Sequence, residues 1–94
     1  MAMDINYSLP MMKARLNRLE SDTSLDEYLG SRIYAAEEYL NGIGIHLKEE
    51  STEDLMLLVD VAVWQYQNRD KPGGMPDWLR LRRRERWLRT EAGS

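Results

Sequence analysis

Ninety-four residues without a cysteine, 43% of them hydrophobic and 31% charged, describe one small globular domain. A chain of this size buries only about 60–65% of the surface its unfolded form exposes, so its own core is modest and a partner subunit can add appreciably. The lack of cysteine excludes disulfides, thiolate metal sites and thiol nucleophiles. The longest apolar run, Leu55 to Val59, is far short of the roughly 20 residues a membrane-spanning helix needs.

The net charge of −3 hides an asymmetry. Residues 1–77 hold 7 Lys/Arg against 14 Asp/Glu, whereas residues 78–94 hold 6 Arg against 2 Glu. A split of this kind marks a contact surface without naming the partner. The start, Met1-Ala2-Met3-Asp4, lacks the basic residues and apolar core of a signal peptide, which predicts a cytosolic protein where it is made.

Taken in chain order, the pattern predicts four helices in an all-α bundle, with residues 1–7 and 91–94 as flexible tails. Ser8 before Leu9-Pro10 reads as the start of the first helix, 9–20, since proline fits a first turn; Leu9, Met12, Leu16 and Leu19 recur on one face. Ser24 and Glu27 have capping-box spacing for the second, 25–41. Its apolar face is Leu25, Leu29, Ile33, Ala36 and Leu40, and Asn41-Gly42 supplies a left-handed stop.

Residues 43–50 read as a loop, after which Ser51 or Thr52 caps the third helix, 53–69, with Glu53 and Asp54 at its positive dipole end. Leu55, Leu58, Val59, Ala62, Val63 and Tyr66 make its main face, and Met56, Asp60, Trp64 and Gln67 a second stripe. A helix apolar on more than one side is central or covered. The stretch from Asp70 to Pro76 cannot continue a helix. Asp77 then caps the last helix, 78–90, which is expected to project as an arm.

Chemistry-bearing motifs are few. His46 is the only histidine and lies in a loop, without the two-ligand helical spacing of a metal site. Glu37-Glu38, Glu49-Glu50 and Glu53-Asp54 are adjacent pairs that point about 100° apart on a helix, so they do not converge as an acid–base pair. Gly42-Ile43-Gly44 matches neither phosphate-loop pattern. No catalytic residue, cofactor or metal is therefore expected, and the chain does not read as an enzyme.

Asp60 stands out inside the run from Leu57 to Trp64. A buried carboxylate without a partner costs several kcal/mol, so it either reaches water or meets an arginine of its own chain or of another subunit. Asp60, Trp64 and Arg69 are the candidate core or intersubunit polar contacts.

The last helix is the strongest signal. Arg80, Arg82, Arg83, Arg84, Arg86, Trp87 and Arg89 form a candidate protein-interaction surface. Trp78, Leu81 and Leu88 make one apolar stripe, while Leu79 and Trp87 make another flanking Arg83. Three readings stay open: phosphate contacts on nucleic acid, docking on protein through an Arg- and Trp-rich surface, or a solvated helix whose arginine stems cover apolar surface. A helix-turn-helix reading fails, because the helix placed to read bases begins acidic.

The segment Ser24-Leu25-Asp26-Glu27-Tyr28-Leu29, then Ile33 to Leu40 and a Gly-Ile-Gly turn, precedes an apolar helix closing on Trp64-Gln65-Tyr66-Gln67-Asn68-Arg69-Asp70 and a loop with Met75-Pro76. This layout, over roughly residues 9–80, resembles the small head–tail connector proteins of tailed bacteriophages, also described as DNA-packaging adaptors. The arginine-rich end departs from the family's form, in which the segment after the proline is less charged. The resemblance implies a non-catalytic helical protein that forms a ring with copies of itself, joining the portal to a tail-side protein. DNA would pass through the lumen unread, with no membrane partner. The protein would occupy the host bacterial cytoplasm during assembly and then the virion's head–tail junction.

Overall fold

The computed structural model describes residues 5–19, 21–69 and 74–91. It is a bundle of four helices with no strand among those residues: α1 (Ile5–Arg15), α2 (Asp26–Gly42), α3 (Thr52–Gln67) and α4 (Asp77–Glu91). None of these helices is long and apolar enough to cross a membrane.

α3 is the central element, packed against each of the other three. From Leu57 to Val63 every residue is buried, so the buried surface extends past the expected main face to Leu57, Asp60 and Val61, while Met56 and Gln67 of the expected second stripe are exposed. Only a helix with neighbours on several sides can bury that much. Met12 of α1, Leu29, Ile33, Ala36 and Leu40 of α2, and Leu79 of α4 complete the core around it, all fully buried. Ile45 and Leu47 close one end from the α2–α3 loop. Ser51 caps α3, its hydroxyl accepting from the Asp54 N–H at 3.2 Å.

The first helix differs from the expected 9–20. It starts at Ile5, so residues 5–7 are helical rather than a tail, because Ile5 packs on the core and against α2 at Gly30. Ser8, expected at the helix start, is instead fully buried within the helix. Pro10 lies inside it as well, giving up one i→i−4 bond. The helix ends early because Asn17 takes a left-handed φ of 59°. The Asn17 N–H then bonds to the Ala14 carbonyl at 3.1 Å and the Arg18 N–H to that of Lys13 at 2.9 Å. This is a Schellman stop with asparagine in the glycine position. Leu19, expected on the buried face, lies beyond it and is 74% exposed.

α2 ends by the same device, with the left-handed residue two positions later than expected. Gly42 is still helical and Gly44 carries the positive φ, 94°. The Gly44 N–H bonds to the Asn41 carbonyl at 3.0 Å and the Ile45 N–H to that of Leu40 at 2.9 Å. Ile45 and Leu40, the pair that accompanies this motif, are both fully buried. The expected Ser24–Glu27 capping box does not form, since Ser24 donates to Asp22 from both its hydroxyl (2.7 Å) and its N–H (3.1 Å) and the helix starts at Asp26. Asp77 likewise belongs to α4 itself; the Pro76 carbonyl accepts from Leu79 and Arg80 at its start. Residue 91, expected in the C-terminal tail, ends α4; residues 1–4 and 92–94 of the expected tails, and most of the 70–76 breaker segment, lie outside the described residues.

α4 lies along α3 and touches no other helix as closely. It is docked rather than free, and what docks it is the site.

Candidate functional site

α4 runs antiparallel to α3, and its arginines form a ladder on it. Arg82 bonds to Asp60, Arg86 to Asp54 and Arg89 to Glu53. From the first pair to the last, each helix advances seven residues, about 10.5 Å. The arrangement follows from the dipoles. Acidic residues suit the N-terminal turn of α3 and basic ones the C-terminal turn of α4. Antiparallel packing sets those two ends side by side.

The middle rung is interior. Arg86 is 6% exposed and Asp54 3%. The Arg86 Nε donates to Asp54 Oδ1 at 2.8 Å and Nη2 to Oδ2 at 3.1 Å, a bidentate fork. Nη2 also donates to the His46 carbonyl at 2.8 Å, and Nη1 to the Thr90 hydroxyl. Asp54 accepts a further bond from the Lys48 N–H at 2.8 Å. Burial pushes the Asp54 carboxyl up, but the bonds from Arg86 and the Lys48 N–H, with the Arg86 and Arg89 charges, outweigh it and leave it below the ordinary 3.8. One arginine thus fastens α4, the α2–α3 loop and the start of α3.

Asp60 is the second hub. It is 5% exposed and accepts from two arginines, Arg15 of α1 and Arg82 of α4. The pairing is within one chain, and the guanidiniums, both partly exposed, keep contact with water. Trp64 and Arg69, grouped with Asp60 from the sequence, do not join it. Trp64 packs partly buried against the core. Arg69 sits over the Tyr66 ring at 4.4 Å and donates to the Tyr66 carbonyl.

The remaining arginines divide. Arg80 pairs with Asp77 on its own exposed turn, and Arg83 donates to the Tyr39 hydroxyl of α2. Arg84 is exposed and makes no hydrogen bond or ion pair among the described residues. Trp87 lies over Gly44, its Nε1 3.4 Å from where a β-carbon would stand there. With Ile43, Arg80, Leu81, Arg83 and Arg84 it lines an open groove of about 610 Å³. Trp78, Leu81 and Leu88 stand 51%, 58% and 48% exposed on the outer side of α4.

Arg86, expected on the interaction surface, is therefore a buried structural residue, because it lies seven positions, two turns, after Leu79 and shares its inward face. That spacing was the signal available in the sequence. The partners Arg15, Asp54 and Tyr39 were not foreseen. Asp54 had a sufficient explanation at the α3 dipole, and nothing in α1 pointed Arg15 toward Asp60. Comparison with known proteins finds no matching family model, no matching curated protein and no matching solved structure.

Proposed function

We propose that this chain is a structural adaptor of the head–tail junction of a tailed phage or prophage. It assembles with copies of itself into a ring that joins the portal to a tail-side protein and lets DNA pass. The resemblance of the Ser24–Leu40 and Val61–Asp70 segments supports this reading. So does the observation that carries it: the basic charge of α4 is largely matched within the fold, by Asp54, Asp60, Glu53 and Asp77, while its outer face is left apolar at Trp78, Leu81 and Leu88. A surface of that kind suits protein better than phosphate. Exposed aromatic side chains among arginines are the composition enriched at interface hot spots.

One observation favours a second reading, nucleic-acid binding: Arg80, Arg83, Arg84 and Trp87 share one groove, which offers cations for phosphates and an indole for a base. The two readings separate cleanly. Mixing the protein with the portal assembly of its own genome neighbourhood, followed by electron microscopy, is expected to add a ring of density on the tail side. Absence of that density, with steeply salt-dependent duplex binding that Arg84→Glu abolishes, would replace the adaptor with the nucleic-acid protein.

A further inference from the structure

The ladder leaves two exposed patches of opposite sign on different sides of the molecule. The first is the α4 groove. Of its cations, Arg84 is exposed without a partner among the described residues, and it is flanked by Leu81, Trp87 and Ile43. The second is the outer face of α2. Glu27, Ser31, Tyr34 and Glu38 recur at steps of four, three and four, which is one helical face, and all are exposed. Neither Glu27 nor Glu38 pairs with a cation among the described residues, and Tyr34 is 44% exposed.

No bond joins these two patches within one chain among the described residues. α4 approaches α2 at Tyr39, through Arg83, and Tyr39 lies about 100° around the helix from Glu38. The buried face of α2, from Leu29 to Leu40, points inward to α1 and α3, so the acidic face points away from the rest of the bundle.

We infer that the α4 groove binds the acidic Tyr34 face of α2 on a second copy of this chain. The charge is complementary: Arg84 of one copy faces Glu38 of the next. Spacing matches as well, since Arg84 and Leu81 are one turn apart on α4 as Glu38 and Tyr34 are on α2. Tyr34 then covers Leu81 and the edge of Trp87, removing apolar surface from water on both copies. Because the patches differ and face different ways, the contact is head-to-tail. Each copy keeps one free patch of either kind, and association propagates until it closes. This surface rests on the adaptor reading only for its biological setting; its chemistry is independent of the portal.

The absence of native cysteine makes the test direct. Leu81→Cys and Tyr34→Cys replace exposed side chains and leave Arg84 and Glu38 in place. Under mild oxidation at roughly 1 mM chain, the double variant is expected to give a ladder of dimers, trimers and higher species on a non-reducing gel. An equimolar mixture of the two single variants should stop at dimers, and each single variant alone should give only traces. Adding Arg84→Glu to the double variant should cut the ladder about tenfold by setting like charges together, and adding Glu38→Arg as well should restore it. No linked species in the double variant, or either single variant linking as well as the mixture, would overturn the surface. A ladder without portal binding upholds the surface and removes the adaptor setting; portal rings without a ladder do the reverse.

Discussion

Helices α1 to α3 meet chiefly through apolar side chains, among them Met12, Leu29, Ile33, Leu40, Leu58 and Val61, all fully buried. α4 brings one fully buried apolar residue, Leu79, and is otherwise held mainly by its arginines, in carboxylate pairs to α3 and in bonds to the Tyr39 hydroxyl and the His46 carbonyl. Apolar burial is non-directional and indifferent to pH. Ion pairs at fixed positions instead set the register and direction of a helix, at the cost of desolvating charges. The body can thus tolerate repacking, whereas α4 has one place on α3 where its rungs meet. A helix attached in this way can present an apolar outer face in a defined orientation without a large core beneath it.

The largest effect expected from breaking this comparison is at the buried rung. Arg86→Met leaves Asp54 buried without its counter-charge and should cost about 3–5 kcal/mol. Adding Asp54→Leu should recover most of that loss, because replacing both members of a buried pair by apolar groups is often neutral or stabilising. Chemical denaturation of the two variants measures it. Amide hydrogen exchange locates it: Arg86→Met should speed exchange in α4 and the 46–48 loop ahead of α1 to α3. Next is the body itself. Leu58→Ala at the centre of α3 should cost about 2–5 kcal/mol and raise exchange in all four helices together, since α3 touches every other one.

The apolar body was legible in the sequence, whereas the docking of α4 was not. Four helices, a central α3 and a cap at Ser51 or Thr52 follow from periodicity and cap chemistry, because long amphipathic segments state their own geometry. What failed was local competition and distant pairing. Asn17 ends α1 only because asparagine tolerates a left-handed backbone, a choice that looks like any polar residue in sequence. Ser24 had two available partners, and Asp22 won over the helix N-terminus. The Arg82–Asp60 and Arg86–Asp54 pairs join residues 22 and 32 positions apart, and charge counts alone cannot say which of several arginines meets which carboxylate. The exposed triad Trp78, Leu81 and Leu88, by contrast, was readable as a stripe because helical spacing alone defines it.

Acid should separate the two regions without any mutation. The folded-state Asp54 carboxyl lies below its ordinary value of 3.8. A depressed folded value contributes stability that is present above the unfolded value and is lost as pH falls through the folded one. α4 docking should therefore stay level from pH 7 to near 4 and weaken below that, ahead of the apolar body. Indole emission reports it, since Trp87 sits against the Gly44 turn that α4 covers. In the Arg86→Met, Asp54→Leu variant this acid transition should flatten; an unchanged one would assign the attachment to other groups.

The smallest expected effect distinguishes charge from burial within α4 itself. Arg80 and Arg86 are six residues apart on one helix and each meets an aspartate, yet the Arg80–Asp77 pair is exposed on both sides. Two flexible side chains in water gain little from each other, and the exposed geometry is screened by salt. Arg80→Gln should thus change stability by less than about 0.5 kcal/mol, with no gain in α4 exchange and no shift in the acid transition. If it loosened α4 as Arg86→Met does, the helix would be held by its overall positive field rather than by one desolvated fork. Salt gives the same answer by another route: raising ionic strength should erase the Arg80 difference entirely while leaving most of the Arg86 penalty in place, because a buried pair is screened far less than an exposed one.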